Sequence, residues 1–157
     1  MLNKHSLSKI LLISMFFLFA GESVASQQSH KEEKSVISKK VVQKQDIEFM
    51  LARIEQTYET KAVPVFLEVL DRDLENRLSF INSLEQYFNS VKFLNIYFVL
   101  DSFLTDQDKV LVRIHWFRKA VNNAGVFVKT KGNSEFVLRD TTDGLKLLRI
   151  RKDNPFF

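Results

Sequence analysis

The apolar positions of this chain change rhythm three times, and each change marks a new kind of element. Ile10 to Ala20 (ILLISMFFLFA) is an uncharged apolar run of eleven residues, preceded by Lys4 and Lys9 and closed by Glu22. From Ser26 to Gln45 (SQQSHKEEKSVISKKVVQKQ) there is no aromatic residue and no sustained apolar period, the composition of a segment that buries too little to offset its ordering entropy. After Asp46, a reasonable N-cap, Ile47, Met50, Leu51, Ile54 and Tyr58 recur at helical spacing and predict a first amphipathic helix. Pro64 opens a short second helix carrying Phe66, Leu67, Val69 and Leu70, a position where proline is tolerated. With Asp71 or Asp73 as cap, the steps Leu74, Leu78, Ile81, Leu84 and Phe88 predict a third helix over Asp73 to Asn89.

Beyond Ser90 the period drops to two, the signature of strands. Phe93 to Phe103 forms one, broken by Thr105 to Asp108 (TDQD). Lys109 to Lys119 forms another, with Val110, Val112, Ile114 and Trp116 on one face and Leu111, Arg113, His115 and Phe117 on the other. Asn122 to Gly125 (NNAG) turns into Val126 to Lys131, Gly132 and Asn133 read as a further turn into Ser134 to Asp140, and Asp143–Gly144 precedes a last strand, Leu145 to Arg151. Helices first and an antiparallel meander after them define an α+β domain, N-terminal helices packed on a curved antiparallel sheet of four or five strands.

Charge and composition sharpen this picture. The n-region lysines, the short apolar run and the small residues Ser23 to Ser26 predict a signal peptide over 1–25, cleaved after Ala25 or Ser26, since a stable span needs roughly twenty apolar residues. Export to the periplasm or beyond follows, with no stable membrane span after cleavage, then a basic tether over 26–45 and one domain over 46–157. The chain has no cysteine, so packing alone must hold the exported domain. Twelve of the fifteen phenylalanines lie in 46–157, enough for one core. The formal charge of +4 comes from the leader and tether, because 46–157 carries sixteen basic and sixteen acidic side chains. That balance argues against a nucleic-acid partner, which needs a clustered basic footprint.

VLVRIHWFRKA as a central strand and FVLRDTTDGLKLLRI running into DGLKLLRIRKDNPF as the closing hairpin resemble the NTF2-like (SnoaL-like, cystatin-like cone) superfamily, over about residues 46–157. The resemblance implies a concave sheet face closed by helices into a cone, and a second sheet face available for a homodimer. It also admits isomerases, dehydratases, cyclases, transport factors and binding proteins, so fold settles little about function. Leu145 stands where such proteins often carry tryptophan after the turn glycine, and no complete catalytic signature matches.

Candidate chemistry is sparse. His115 is the one histidine of the domain, with no cysteine and no calcium-loop or HExxH spacing, so neither a metal nor a cofactor is expected. Asp101 and His115, with Tyr97, are the candidates for acid–base catalysis if antiparallel pairing brings them together facing the cone. Arg113, Lys129, Lys131, Arg139, Arg149 and Arg151 alternate along the strands, either as a strip for an anion or as a solvated face. Ile54, Phe66, Leu78, Ile81, Arg113 and Trp116 are the candidate lining of a site for a small apolar ligand. The leading expectation is an exported, non-enzymatic binding or interaction module. The alternatives are a small cone enzyme of isomerase or dehydratase type and a structural partner of an envelope complex.

Overall fold

A computed structural model describes residues 41–157; the signal-peptide and most of the tether expectations lie outside the described residues. The elements are α1 (Lys44–Glu59), α2 (Val63–Leu67), α3 (Arg77–Ser90), β1 (Val91–Asp106), β2 (Lys109–Asn122), β3 (Phe127–Thr141) and β4 (Gly144–Lys152). The four strands form one antiparallel sheet in the order β1-β2-β3-β4.

The body starts slightly before Asp46. Asp46 is the third residue of α1 and accepts the Gln43 N–H at 2.9 Å, so it braces the first turn from inside, while Val42 packs into the core. The inward row of α1 is Ile47, Met50, Leu51, Ile54 and Tyr58, as its spacing predicts.

The third helix differs from expectation. It begins at Arg77, not Asp73, because the preceding segment is held elsewhere. Asp71 N–H donates to the Leu147 carbonyl and Leu147 N–H to the Val69 carbonyl, both at 2.9 Å, a one-residue parallel bridge that covers the free edge of β4. Asp71 Oδ1, on a buried side chain, accepts Asp73 N–H at 2.8 Å and Arg139 Nη1 at 3.0 Å. The aspartates thus serve a turn and an ion pair instead of a cap. Leu84 and Phe88 face inward as their spacing predicts, joined by Phe80, while Leu78, about 200° round the helix from Phe80, is 78% exposed.

The strand after Gly125 is also continuous where a turn at Gly132–Asn133 is expected. Gly132 sits inside β3 opposite Trp116. A Cβ there would lie 2.6 Å from Trp116 Cζ2 and 2.7 Å from Asp153 Oδ2, so the glycine admits the indole across the strand, the close-approach role of a strand glycine.

The core lies between the helices and the inner sheet face, on which Leu94, Ile96, Phe98, Val110, Val112, Ile114, Trp116, Phe136 and Leu138 are buried. At its centre is an aromatic cluster. Phe156, from the irregular segment after β4, is fully buried and meets the rings of Tyr58, Phe66, Phe80, Phe98 and Phe136 at centroid distances of 5.1–6.3 Å. The Tyr58 hydroxyl donates to the Phe156 carbonyl at 2.5 Å, and burial pushes the phenol pKa far up.

Candidate functional site

Two surfaces are open to function: the cone, and the sheet face turned away from the helices. Strand alternation decides what each contains. On β2 the row Val110, Val112, Ile114 and Trp116 points inward, so Arg113, His115 and Phe117 point outward. On β1, Leu94, Ile96 and Phe98 point inward, so Tyr97 points outward, 57% exposed.

The acid–base candidates therefore lie outside the cone. Register slips between Leu100 and Ser102, leaving Asp101 as the extra residue of a β-bulge, a device that re-aims a side chain. It brings Asp101 Oδ1 to 2.6 Å from His115 Nδ1, with the side chains 35% and 54% exposed. The expected pairing of these two residues is present, but it faces outward. Tyr97 stands opposite Phe117 on the same face. Glu135, opposite Arg113, accepts Lys152 Nζ at 2.9 Å and Arg113 Nε at 3.1 Å; these partners, Lys152 foremost, hold its carboxyl below the usual range.

The six candidate ligand-lining residues are dispersed. Ile54, Phe66 and Trp116 are buried among core side chains, Ile81 is half-buried on α3, Leu78 faces outward from α3, and Arg113 pairs with Glu135 on the outer sheet face. The physical reason is the filled cone: Phe156 and its ring neighbours occupy the interior, and the clefts adjoining it are at the rim. One, of about 220 Å³, lies at the mouth between α3 and the final segment, bounded by Ser79, Phe80, Ser83, Ile150, Asn154 and Phe157. Trp116 Nε1 is buried without a protein partner. Among the described residues no group of three potential metal-ligating side chains is assembled, and no helix is long and apolar enough to cross a membrane.

Register rows define the outer face: Phe93/Val121/Phe127, Tyr97/Phe117/Lys131, Val99/His115/Asn133 and Leu104/Leu111/Val137. Phe117 is 47% exposed and Phe127 52%. Phe136, by contrast, is inside the core, and Phe103 belongs to an inner-face row opposite Val112. Lys119 and Lys129 stand directly opposite one another, an unfavourable like-charge pair.

The edge of β1 is closed by α1 and the turn that follows it. Glu55 accepts the Phe98 N–H at 2.6 Å, Glu59 the Ile96 N–H at 3.4 Å, and Lys61 Nζ donates to the Val91 carbonyl at 2.8 Å. Unpaired edge groups invite strand addition, and these side chains satisfy several of them. Partial burial, and secondarily Glu59, raises the Glu55 pKa above its ordinary 4.5, against the Phe98 N–H, which lowers it. A raised folded pKa means that stability from this group is fully present below the unfolded value and is lost as pH rises through the folded one. Glu55→Gln, which keeps the acceptor for Phe98, is therefore expected to raise the melting temperature at pH 7 and to leave it unchanged at pH 3.5, as measured by thermal melts at both pH values.

Solved structures place this architecture. A conserved protein from Planctomyces limnophilus aligns with a TM-score of 0.62 at 14% identity, over 69% of this chain and 92% of that one. An NTF2-like superfamily protein from Salmonella enterica aligns with a TM-score of 0.60 at 12% identity, over 71% and 89%. A candidate dehydratase of the NTF2-like family from Streptomyces avermitilis aligns with a TM-score of 0.58 at 12% identity, over 68% and 91%. No family model and no curated protein matches the sequence. The chain has the NTF2-like fold, a curved four-stranded antiparallel sheet closed by N-terminal helices.

Two features of the site escape the sequence pattern. Phe156 follows the last strand in an Asn-Pro-Phe-Phe stretch, and its one local signal is an apolar pair outside any periodic element. Tyr58 is legible as a core position but not as the donor to that segment.

Proposed function

We propose that this is an exported NTF2-like module that acts by binding without turnover, with the outer sheet face as its working surface and a second copy of the chain as the occupant. The observation that carries the reading is the distribution of side chains: the cone is filled by the protein's own rings, while Phe93, Tyr97, Val99, Leu104, Phe117 and Phe127 lie exposed on the outer face over β1, β2 and the start of β3. The area is adequate. With four strands spaced about 4.8 Å and β2 of 14 residues rising about 3.3 Å each, the face measures roughly 700–900 Å². A standard protein interface takes about 800 Å² per partner. The leader pattern of Lys4, Lys9 and Ile10 to Ala20 supports export. Hydrogen exchange at increasing protein concentration tests the assignment. Peptides over 93–99 and 115–119 should gain protection as copies associate, and concentration-independent exchange there would reject the second copy as occupant.

The Asp101–His115 contact favours a second reading, acid–base catalysis of isomerase or dehydratase type on the outer face. Turnover of a small carbonyl substrate that Asp101→Asn abolishes without altering the circular dichroism spectrum would support it over binding alone.

A further inference from the structure

The balanced charge of the domain is unevenly placed. Between Trp116 and Ser134 the chain carries Arg118, Lys119, Lys129 and Lys131 and no acidic residue, and this stretch is the β2–β3 hairpin. Lys119 and Lys129 stand opposite one another across it, with Lys131 two residues on along the same outer face. Among the described residues, ion pairs engage Arg113, Arg139, Arg149 and Lys152 further along the sheet, and none engages these three lysines. Glu55 and Glu59, which share a rim cleft with Lys119, are occupied by the Phe98 and Ile96 N–H groups. The opposite end lies roughly 40 Å away along β2. Its turns hold Asp106, Asp108, Asp140 and Asp143 against Lys109 and Arg139, and Arg139 is already tied to Asp71 and Asp73.

The same hairpin end is apolar at its tip. Val126, Phe127 and Val128 are exposed one after another, although alternation sends Phe127 to the outer face and Val128 to the inner one, opposite buried Ala120. β4 pairs with β3 only from Ser134 onward, so the β3 arm of the hairpin is uncovered along its free edge. Lys129 Nζ lies 5.3 Å from the centroid of the Phe127 ring. Consecutive exposed apolar residues in a folded domain call for a function, and rings and aliphatic groups flanked by cations suit the boundary between lipid chains and headgroups. We infer that the β2–β3 hairpin end docks on an anionic phospholipid bilayer, with Val126, Phe127 and Val128 entering the interface and Lys119, Lys129 and Lys131 meeting the lipid phosphates. A bilayer, unlike a soluble polyanion, satisfies both halves of the patch, and the acidic turns are then held at the far end of the molecule. The site goes beyond the pairing of copies, which rests on the middle of the outer face around Tyr97 and Phe117. Phe127 lies at the margin of both surfaces, and either can fail without the other.

Ile10 to Ala20 and the tether lysines can hold the full chain on a vesicle by themselves, so the readout is local to the hairpin. Val126→Trp adds an exposed indole to the buried Trp116, the chain's single tryptophan, and the difference spectrum against wild type reports the tip. On vesicles of phosphatidylglycerol and phosphatidylcholine in equal parts, that difference emission should move to the blue and be quenched by lipids brominated in their acyl chains. On phosphatidylcholine alone it should do neither. Adding Lys119→Gln and Lys129→Gln should lower the insertion equilibrium roughly 30-fold, about fivefold for each charge at an anionic surface. The same change relieves a like-charge cross-strand pair, so the melting temperature should not fall, and weaker insertion cannot then be laid to a weaker fold. Hydrogen exchange of the wild-type chain gives the reading without a substitution, with 123–128 protected on the anionic vesicles only. Equal quenching on both vesicle types, quenching unchanged by the two glutamines, or salt-sensitive binding with neither quenching nor protection at the tip would overturn the inference.

Discussion

Phe156→Ala should destabilise the domain by about 3–5 kcal/mol, the range for truncating a buried phenylalanine that leaves a cavity. The ring is fully buried and touches rings from α1, α2, α3, β1 and β3, so its removal withdraws packing from five elements at once. Relaxation into the space is limited because each neighbour is anchored by its own helix or strand. Aromatic pairs also contribute about 0.5–1.5 kcal/mol each beyond area burial, and none of the five survives the truncation. Urea unfolding should show the midpoint falling with little change in slope. A loss under about 1 kcal/mol, the scale of a surface change, would mean that Phe156 does not fill the cone in solution.

Gly132→Ala is the second large effect, expected to lower stability by about 1–3 kcal/mol or more, as overpacking does. The added Cβ would meet Trp116 Cζ2 at 2.6 Å and Cε2 at 2.8 Å, as well as Asp153 Oδ2 at 2.7 Å. Trp116 is 5% exposed, and Phe98 stands opposite it on β1, so the indole has little room to retreat. Trp116→Phe should restore part of the loss in the double variant, giving a coupling free energy of the kind found between residues in contact. A Gly132→Ala protein as stable as wild type would show that β3 does not pass so close beneath the indole.

Gly132 also shows where the sequence is ambiguous. A Gly-Asn pair between apolar runs signals a turn, and a glycine inside a strand signals a close approach; the atoms that decide are on Trp116, one strand away. Leu78 teaches a related lesson. The predicted row Leu74, Leu78, Ile81, Leu84 and Phe88 holds at Leu84 and Phe88, whereas Phe80 and not Leu78 faces the core from α3, which starts at Arg77. That start is set by Asp71, claimed by Arg139 from β3, a long-range contact with no trace in local spacing. The strands were far more legible: Val110, Val112, Ile114 and Trp116 alternate against polar neighbours and are buried as the period requires. The proximity of Asp101 and His115 was readable from hairpin pairing, whereas their outward direction depended on register and on a bulge. The order of elements and the α+β class needed none of these details, because the change of period at Ser90 alone separates the helices from the sheet.

Sedimentation equilibrium reads out whether the outer sheet face pairs two copies of the chain. Phe117 lies in the middle of that face, between Tyr97 and Lys131, and a glutamate there would replace the ring that two copies bury against each other with a charge that the free monomer keeps solvated. Wild-type protein should sediment at twice the chain mass at tens of micromolar, and Phe117→Glu at the single-chain mass with an unchanged circular dichroism spectrum. A wild-type protein that remains at the single-chain mass throughout that range, or a Phe117→Glu variant that still sediments as a dimer, would rule out pairing through this face.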